Sequence, residues 1–208
     1  RLVCKPFKGT FDGQGHTIKN LYQNGYLWRY WWQQYGSIGL FSELESATVK
    51  NLVIDGEGAG EQQGLSSATA VSDLTVDGCT FKNGAYLSLA NEVAENITVE
   101  NCTFVGTGSE QSSSAVYIQK VKNLTIGSNS ISGGFYNAIQ CSSSTDGTVN
   151  ITKNTISGTN DRAFRFGGNI IGTVNIGGNT IIDAADDDEE VFKATNVSRA
   201  DDGQVEFS

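Results

Sequence analysis

The chain has 208 residues, a formal charge of −9, 25 Gly, one Pro, four Cys, three Trp and no Met. At roughly 100–200 residues per domain it reads as one domain, and Gly, Ser, Thr and Asn supply about two-fifths of it, too many turn formers for an all-helical fold. The acidic balance argues against nucleic acid or an anionic membrane as partner, since both need clustered Lys and Arg, and no apolar run approaches the ~20 residues that span a bilayer.

Arg1 is not an initiator Met and no charged-then-apolar leader follows it, so a signal peptide or anchor, if there is one, is expected outside these residues. The first element is Pro6-Phe7-Lys8-Gly9-Thr10-Phe11-Asp12-Gly13-Gln14-Gly15-His16-Thr17-Ile18, in which Asp12 and the glycines suit turns. His16 is the only imidazole. It sits in this turn-and-strand stretch with no acid partner or nucleophile in view, so its expected role is structural. Residues 22–36 form an aromatic insertion holding all three Trp; Asn24-Gly25 marks a tight turn, and an extended run after it puts Tyr26, Trp28, Tyr30 and Trp32 on one face, with Trp31 opposite. Three uses stand open for Tyr26, Trp28, Tyr30, Trp31 and Trp32: a lid packed over a flank or end, a platform for sugar rings, or a protein contact.

From residue 74 onward one pattern repeats. Leu74-Thr75-Val76, Ile97-Thr98-Val99, Leu124-Thr125-Ile126, Val149-Asn150-Ile151 and Val174-Asn175-Ile176 recur at intervals of about 23–27 residues, within the solenoid range. Each triplet alternates apolar, polar, apolar, as a strand with one buried face does. A second strand follows each, at 79–81, 102–104, 129–131, 154–156 and 179–181, and then a third, at 86–89, 116–119, 139–142, 164–166 and 191–194. Three strands make one coil, and coils stacked about 4.8 Å apart bury what one coil cannot. The predicted fold is all-β, a right-handed parallel β-helix. Cys79, Cys102, Asn129, Asn154 and Asn179 then occupy one corner column, where stacked amides can donate to one another. Cys79 and Cys102 fall on adjacent coils, which leaves open a strained disulfide or two stacked thiols; Cys141 faces the core. With Cys4 they match no zinc spacing, so no transition metal is expected.

The stretch from Pro6 to Ile18, followed by Ile38-Gly39-Leu40-Phe41 and Val49-Lys50-Asn51-Leu52, resembles bacterial cell-surface β-helix proteins with GLUG-type repeats, in the broad pectin-lyase-like group. The match covers about the first quarter of the chain. Ser42 departs from the family's usual Gly, and the 22–36 insertion is a second departure. The resemblance implies a secreted or surface-displayed protein, adhesin-like, often a segment of a longer polypeptide, and it implies no catalytic residue.

The outward side of the third strands should align Ser88, Tyr117, Gln140, Arg165 and Lys193. Polysaccharide lyases of this fold work over that sheet, using Arg or Lys against a uronate, which makes Arg165 and Lys193 the candidate catalytic pair. No Asp and Glu cluster to hold Ca²⁺ and no aligned carboxylate pair accompanies them. Tyr117 and Gln140 suit a passive groove instead. The loop 183–190 gathers carboxylates; Asp186, Asp187 and Asp188 are the candidate Ca²⁺ ligands, but without an EF-hand pattern a solvated loop that discourages edge-to-edge association is the simpler reading. Sequons at Asn96, Asn101, Asn123, Asn150 and Asn196 read mainly as by-products of the repeat. The sequence therefore points to a non-enzymatic surface module without a required cofactor, binding a glycan, a host protein or a neighbouring protein surface. The alternatives are a polysaccharide lyase or uronate epimerase, and a structural stalk.

Overall fold

The computed structural model describes residues 6–19, 40–41, 44–57, 62–67, 70–183, 191–195 and 204–208. In chain order the strands are β1 Phe7–Asp12, β2 Thr17–Lys19, β3 Leu44–Lys50, β4 Val53–Asp55, β5 Gln62–Ser67, β6 Val71–Asp77, β7 Thr80–Lys82, β8 Ala85–Glu100 and β9 Thr103–Val105. They continue as β10 Val116–Gly127, β11 Ser130–Ser132, β12 Asn137–Thr152, β13 Thr155–Ser157, β14 Arg162–Gly167, β15 Asn169–Gly177, β16 Thr180–Ile182, β17 Phe192–Thr195 and β18 Gln204–Phe207. All pairing among the described residues is parallel, between equivalent strands of successive coils, and the second strands form a seven-stranded sheet in the order β16-β13-β11-β9-β7-β4-β2. No helix among the described residues is long and apolar enough to cross a membrane.

Two features differ from the sequence expectation. The third strand of one coil and the first strand of the next are a single continuous strand in β8, β10 and β12, bent by register shifts at Ile118/Lys120 and Lys122/Leu124. Such bulges turn a strand without ending it, so the first and third strands share one eleven-stranded sheet. The repeat also extends beyond the five aligned triplets. Phe11 pairs with Val49, Val49 with Val76, and Ile176 with Phe207, so the N-terminal motif is simply the first coil.

Inward residues stack into columns. Val76, Val99, Ile126 and Ile151 make one, and Phe81, Phe104, Ile131 and Ile156 another, all buried, with the Phe81 and Phe104 rings parallel at 4.6 Å. The corner column follows the expected chemistry. The Asn154 Oδ1 accepts from the Asn129 N–H (3.0 Å) and Nδ2 (2.9 Å), while its own Nδ2 donates to Asn179 Oδ1 (2.9 Å) and to the Ile126 carbonyl (3.0 Å). Above it the Cys102 N–H donates to Asn129 Oδ1 (2.9 Å), and Cys79 and Cys102 are buried free thiols. The Cys102 thiol donates to the Glu100 carbonyl (3.1 Å); the neighbouring Cys79 thiol and burial raise its pKa. Cys141 is core, and burial pushes its thiol up to about 12.

The residue before this column is left-handed in successive coils: Asn51, Gly78, Asn101, Ser128, Lys153 and Gly178 have φ of 52–62°. Asn tolerates that region better than most residues, and here the amide also reaches the previous coil: Asn51 Nδ2 donates to Asp12 Oδ1 (3.1 Å) and Asn101 Nδ2 to Asp77 Oδ1 (2.8 Å). The Gln14 N–H and the Asn51 amide together hold the Asp12 carboxyl below its usual range. Asn96 and Asn123, also left-handed, extend a third ladder from Asp73. Three of the sequon asparagines thus serve corners, and Asn150 accepts from Asn175 Nδ2 (2.8 Å); Asn196 lies outside the described residues. Where coils approach closely only glycine fits: a Cβ on Gly172 would collide with the Gly147 carbonyl oxygen.

Two outcomes follow from this packing. Asn154→Ala orphans buried donors and an acceptor at about 1–3 kcal/mol each, so urea unfolding should show a loss well above that of Asn175→Ala, which removes one outward hydrogen bond. Cys141 favours its neutral form when folded and titrates near its ordinary value of 9.0 when unfolded, so its contribution is complete below pH 9 and is lost as pH rises toward 12. The difference in stability between the wild type and Cys141→Ala should therefore be flat up to pH 9 and narrow above it.

Candidate functional site

The third-strand face carries one column in register. Ser66 pairs with Ser88, Ser88 with Tyr117, Tyr117 with Gln140, Gln140 with Arg165, and Arg165 with Lys193. The alternation of β8, β10, β12, β14 and β17 points these side chains outward, because their neighbours Leu87, Leu89, Val116, Ile118, Ile139, Cys141, Phe164 and Phe166 are all buried. Ser88 is a correction to the expected exposed row. It is only 3 % exposed, because one hydroxymethyl group beside a tyrosine does not reach solvent. The accessible part of the column runs from Tyr117 to Lys193, each half-buried.

Three of these side chains are held by neighbours. The Tyr117 hydroxyl and the Ser142 hydroxyl lie 2.9 Å apart, which ties the ring to the coil of Gln140. Gln140 Oε1 accepts from Ser114 Oγ (2.8 Å) and Asn137 Nδ2 (3.2 Å), which fixes its amide and leaves the donor end, Nε2, outside that network. The Arg165 side chain is 32 % exposed, with Nη1 3.7 Å from Asp161 Oδ2.

Sequence reasoning missed Asp161 and Arg162. Asp161 sits at the turn that leads into β14 and pairs through Oδ1 with Arg162 Nη1, both side chains nearly inaccessible at 6 % and 5 %. The run Gly158-Thr159-Asn160-Asp161 reads as turn chemistry, which hides a carboxylate aimed inward. Arg162 follows Asn137 in the same column, and the Asn137 amide also donates to Ser114 Oγ (3.2 Å), so three successive coils put a polar residue at this corner. Among the described residues the carboxylate next to Arg165 is thus matched by two guanidinium groups. It is not placed to hold a cation, and Lys193 lies one coil further on with no ion pair among the described residues.

Other candidates fall elsewhere or outside. Tyr26, Trp28, Tyr30, Trp31 and Trp32 of the insertion, and Asp186, Asp187 and Asp188 of the acidic loop, lie outside the described residues. His16 is exposed in the first coil, where its carbonyl accepts from the Val53 N–H (3.1 Å), far along the stack from Arg165.

The family model described as a right-handed beta helix region matches residues 38–199. The chain belongs to the right-handed β-helix family. No curated protein and no solved structure matches it.

Breaking the buried pair tests how the face is supported. Asp161→Ala leaves Arg162 uncompensated inside the corner and should cost about 3–5 kcal/mol in chemical denaturation. Arg165→Ala, at an exposed edge of the same cluster, should cost less than about 1 kcal/mol.

Proposed function

We propose that this β-helix is a non-enzymatic extracellular or cell-surface module that binds an acidic polysaccharide along Tyr117, Gln140, Arg165 and Lys193. The observation that carries this reading is the register: an aromatic ring, an amide, a guanidinium and an ammonium occupy successive coils at about the 4.8 Å strand spacing. A ring face suits the apolar face of a sugar, and Arg presents a fork that matches a carboxylate or sulfate. The two cations stand together on a chain of net charge −9. The resemblance of residues 6–18 and 38–52 to bacterial surface proteins of the pectin-lyase-like group supports an adhesin-like setting, in which the aromatic insertion supplies a second contact.

A lyase or epimerase reading would need a base beside a uronate. The Arg165 guanidinium faces the Asp161 carboxylate, and its fork of donors suits holding an anion. The face therefore favours retention of a polymer over its cleavage.

Co-elution of the protein with polygalacturonate, alginate, heparin and neutral dextran, run with calcium, tests the reading. Co-elution with an acidic polymer of unchanged length is expected. Arg165→Ala and Tyr117→Ala should weaken it about tenfold or more, since a hydrogen bond to a charged group contributes about 1.5–3 kcal/mol. Shortened polymer would overturn the non-enzymatic reading, and loss of binding on Trp28→Ala alone would move the site to the insertion.

A further inference from the structure

Inside the solenoid an aromatic ring can be answered by the residue that follows it in its column, as Phe81 is by Phe104. Two tyrosines on the outer side are answered otherwise. Tyr117 has Ser88 before it and Gln140 after it. Tyr136, 38 % exposed, stands where the chain turns into β12, and backbone hydrogen bonds set it between Ser113 and Asp161. Its N–H donates to the Ser113 carbonyl (2.8 Å), and its carbonyl accepts from the Asp161 N–H (2.8 Å). Each ring thus has a serine on the side of the preceding coil, too small to cover an aromatic face. Tyr136 lies outside the row of Tyr117, Gln140, Arg165 and Lys193.

Register shows which face Tyr136 serves. Asp161 precedes Arg165 by four residues in its coil, and its Oδ2 lies 3.7 Å from Arg165 Nη1. Tyr136 precedes Gln140 by the same four residues one coil earlier, and Gln140 pairs with Arg165. A side chain that leaves the chain at this corner position therefore leans toward the outward column. The short carboxylate is covered there, whereas a phenol at the equivalent place extends past its neighbours into solvent. Between the two columns the floor is polar and fixed, because Gln140 Oε1 is held by Ser114 and Asn137 while Nε2 stays outside that network. Gln140 is flanked by Tyr117 in the coil before, Tyr136 at the corner of its own coil and Arg165 in the coil after.

We infer that Tyr136 is a further ring contact for the acidic polysaccharide of this face, an inference that rests on that binding reading and deepens it. One sugar ring seats over Gln140 with Tyr117 and Tyr136 against its apolar surface, and the anionic groups of the sugars that follow meet Arg165 and Lys193. The row is then directional, aromatic at one end and cationic at the other. The two ends also differ in their response to salt: contact between a sugar and a phenol ring changes little with ionic strength, whereas attraction to exposed cations is screened.

Binding of the 208-residue chain to polygalacturonate, alginate and heparin at low and high salt tests this, with Tyr136→Ala, Tyr136→Phe and Arg165→Ala compared. Tyr136→Ala is expected to weaken retention of whichever polymer the wild type binds by about threefold to tenfold, the range of an aromatic contact, and by the same factor at both salt concentrations. Tyr136→Phe, which keeps the ring and lacks the hydroxyl, should bind as the wild type does. Arg165→Ala should lose more at low salt than at high. In the wild type, where folding is not in question, bound polymer should slow nitration of Tyr136 by tetranitromethane, read by peptide mass. A Tyr136→Ala chain that binds as the wild type does, a Tyr136→Phe chain that loses as much as Tyr136→Ala, or nitration of Tyr136 that bound polymer leaves unchanged would overturn the inference and leave the binding reading standing. A wild type that retains none of the three polymers overturns the binding reading, and this inference with it.

Discussion

Parallel stacking at about 4.8 Å sets each side chain directly against its equivalent in the next coil, and every other feature of this protein answers to that proximity. Apolar residues gain from it at once, as the parallel rings of Phe81 and Phe104 show. Polar residues gain only if they satisfy one another, and a buried amide whose neighbour is another amide can do so indefinitely. Asn129, Asn154 and Asn179 meet this condition by using both hydrogens and the oxygen of the side chain. A thiol meets it more weakly, by donating to a carbonyl of its own coil, and that suffices for Cys79 and Cys102 where the column begins. The corners that need a left-handed residue solve a second problem with the same amide, since Asn51 and Asn101 both tolerate the backbone angle and reach the carboxylate of the coil before.

This explains which parts of the fold were legible in the sequence. A column is a periodic string, so the triplets from Leu74 to Ile176, the Asn column and the register of Tyr117, Gln140, Arg165 and Lys193 all followed from spacing alone. Periodicity fails where a coil substitutes the residues that announce it. The first coil has Gly9 where later coils have Leu, Ile or Val, and Ala47 stands at the same place in the second, so neither aligned with the rest although both pair in register with them. Spacing is also blind to what happens between strands. The bulges that fuse third and first strands leave no apolar signature, and so one continuous strand was read as two.

The candidate site shows the same division between period and exception. Direction along a strand placed its outward residues correctly, but exposure depends on the height of neighbouring side chains, and Ser88 lies too low beside Tyr117. Asp161 and Arg162 were illegible for a different reason. A turn carrying Asn and Asp is ordinary chemistry for a solvated loop, and only the three-dimensional corner shows that this carboxylate turns inward to a guanidinium. The buried pair has a consequence for the face above it: it spends the local negative charge on Arg162 first, so that Arg165 keeps much of its field for whatever approaches from solvent.

A solenoid answers charge along its sides coil by coil. Lys122 pairs with Glu95 (2.9 Å) of the coil before, and Lys8 with Glu45 (2.8 Å) and Lys50 with Asp12 (3.4 Å) repeat the device, so a cation and a carboxylate face each other across one strand spacing. The column of Tyr117, Gln140, Arg165 and Lys193 departs from it, because its two cations follow each other in register. The column, which is the unit of stability inside the chain, is thus also the unit in which one face gathers charge of one sign.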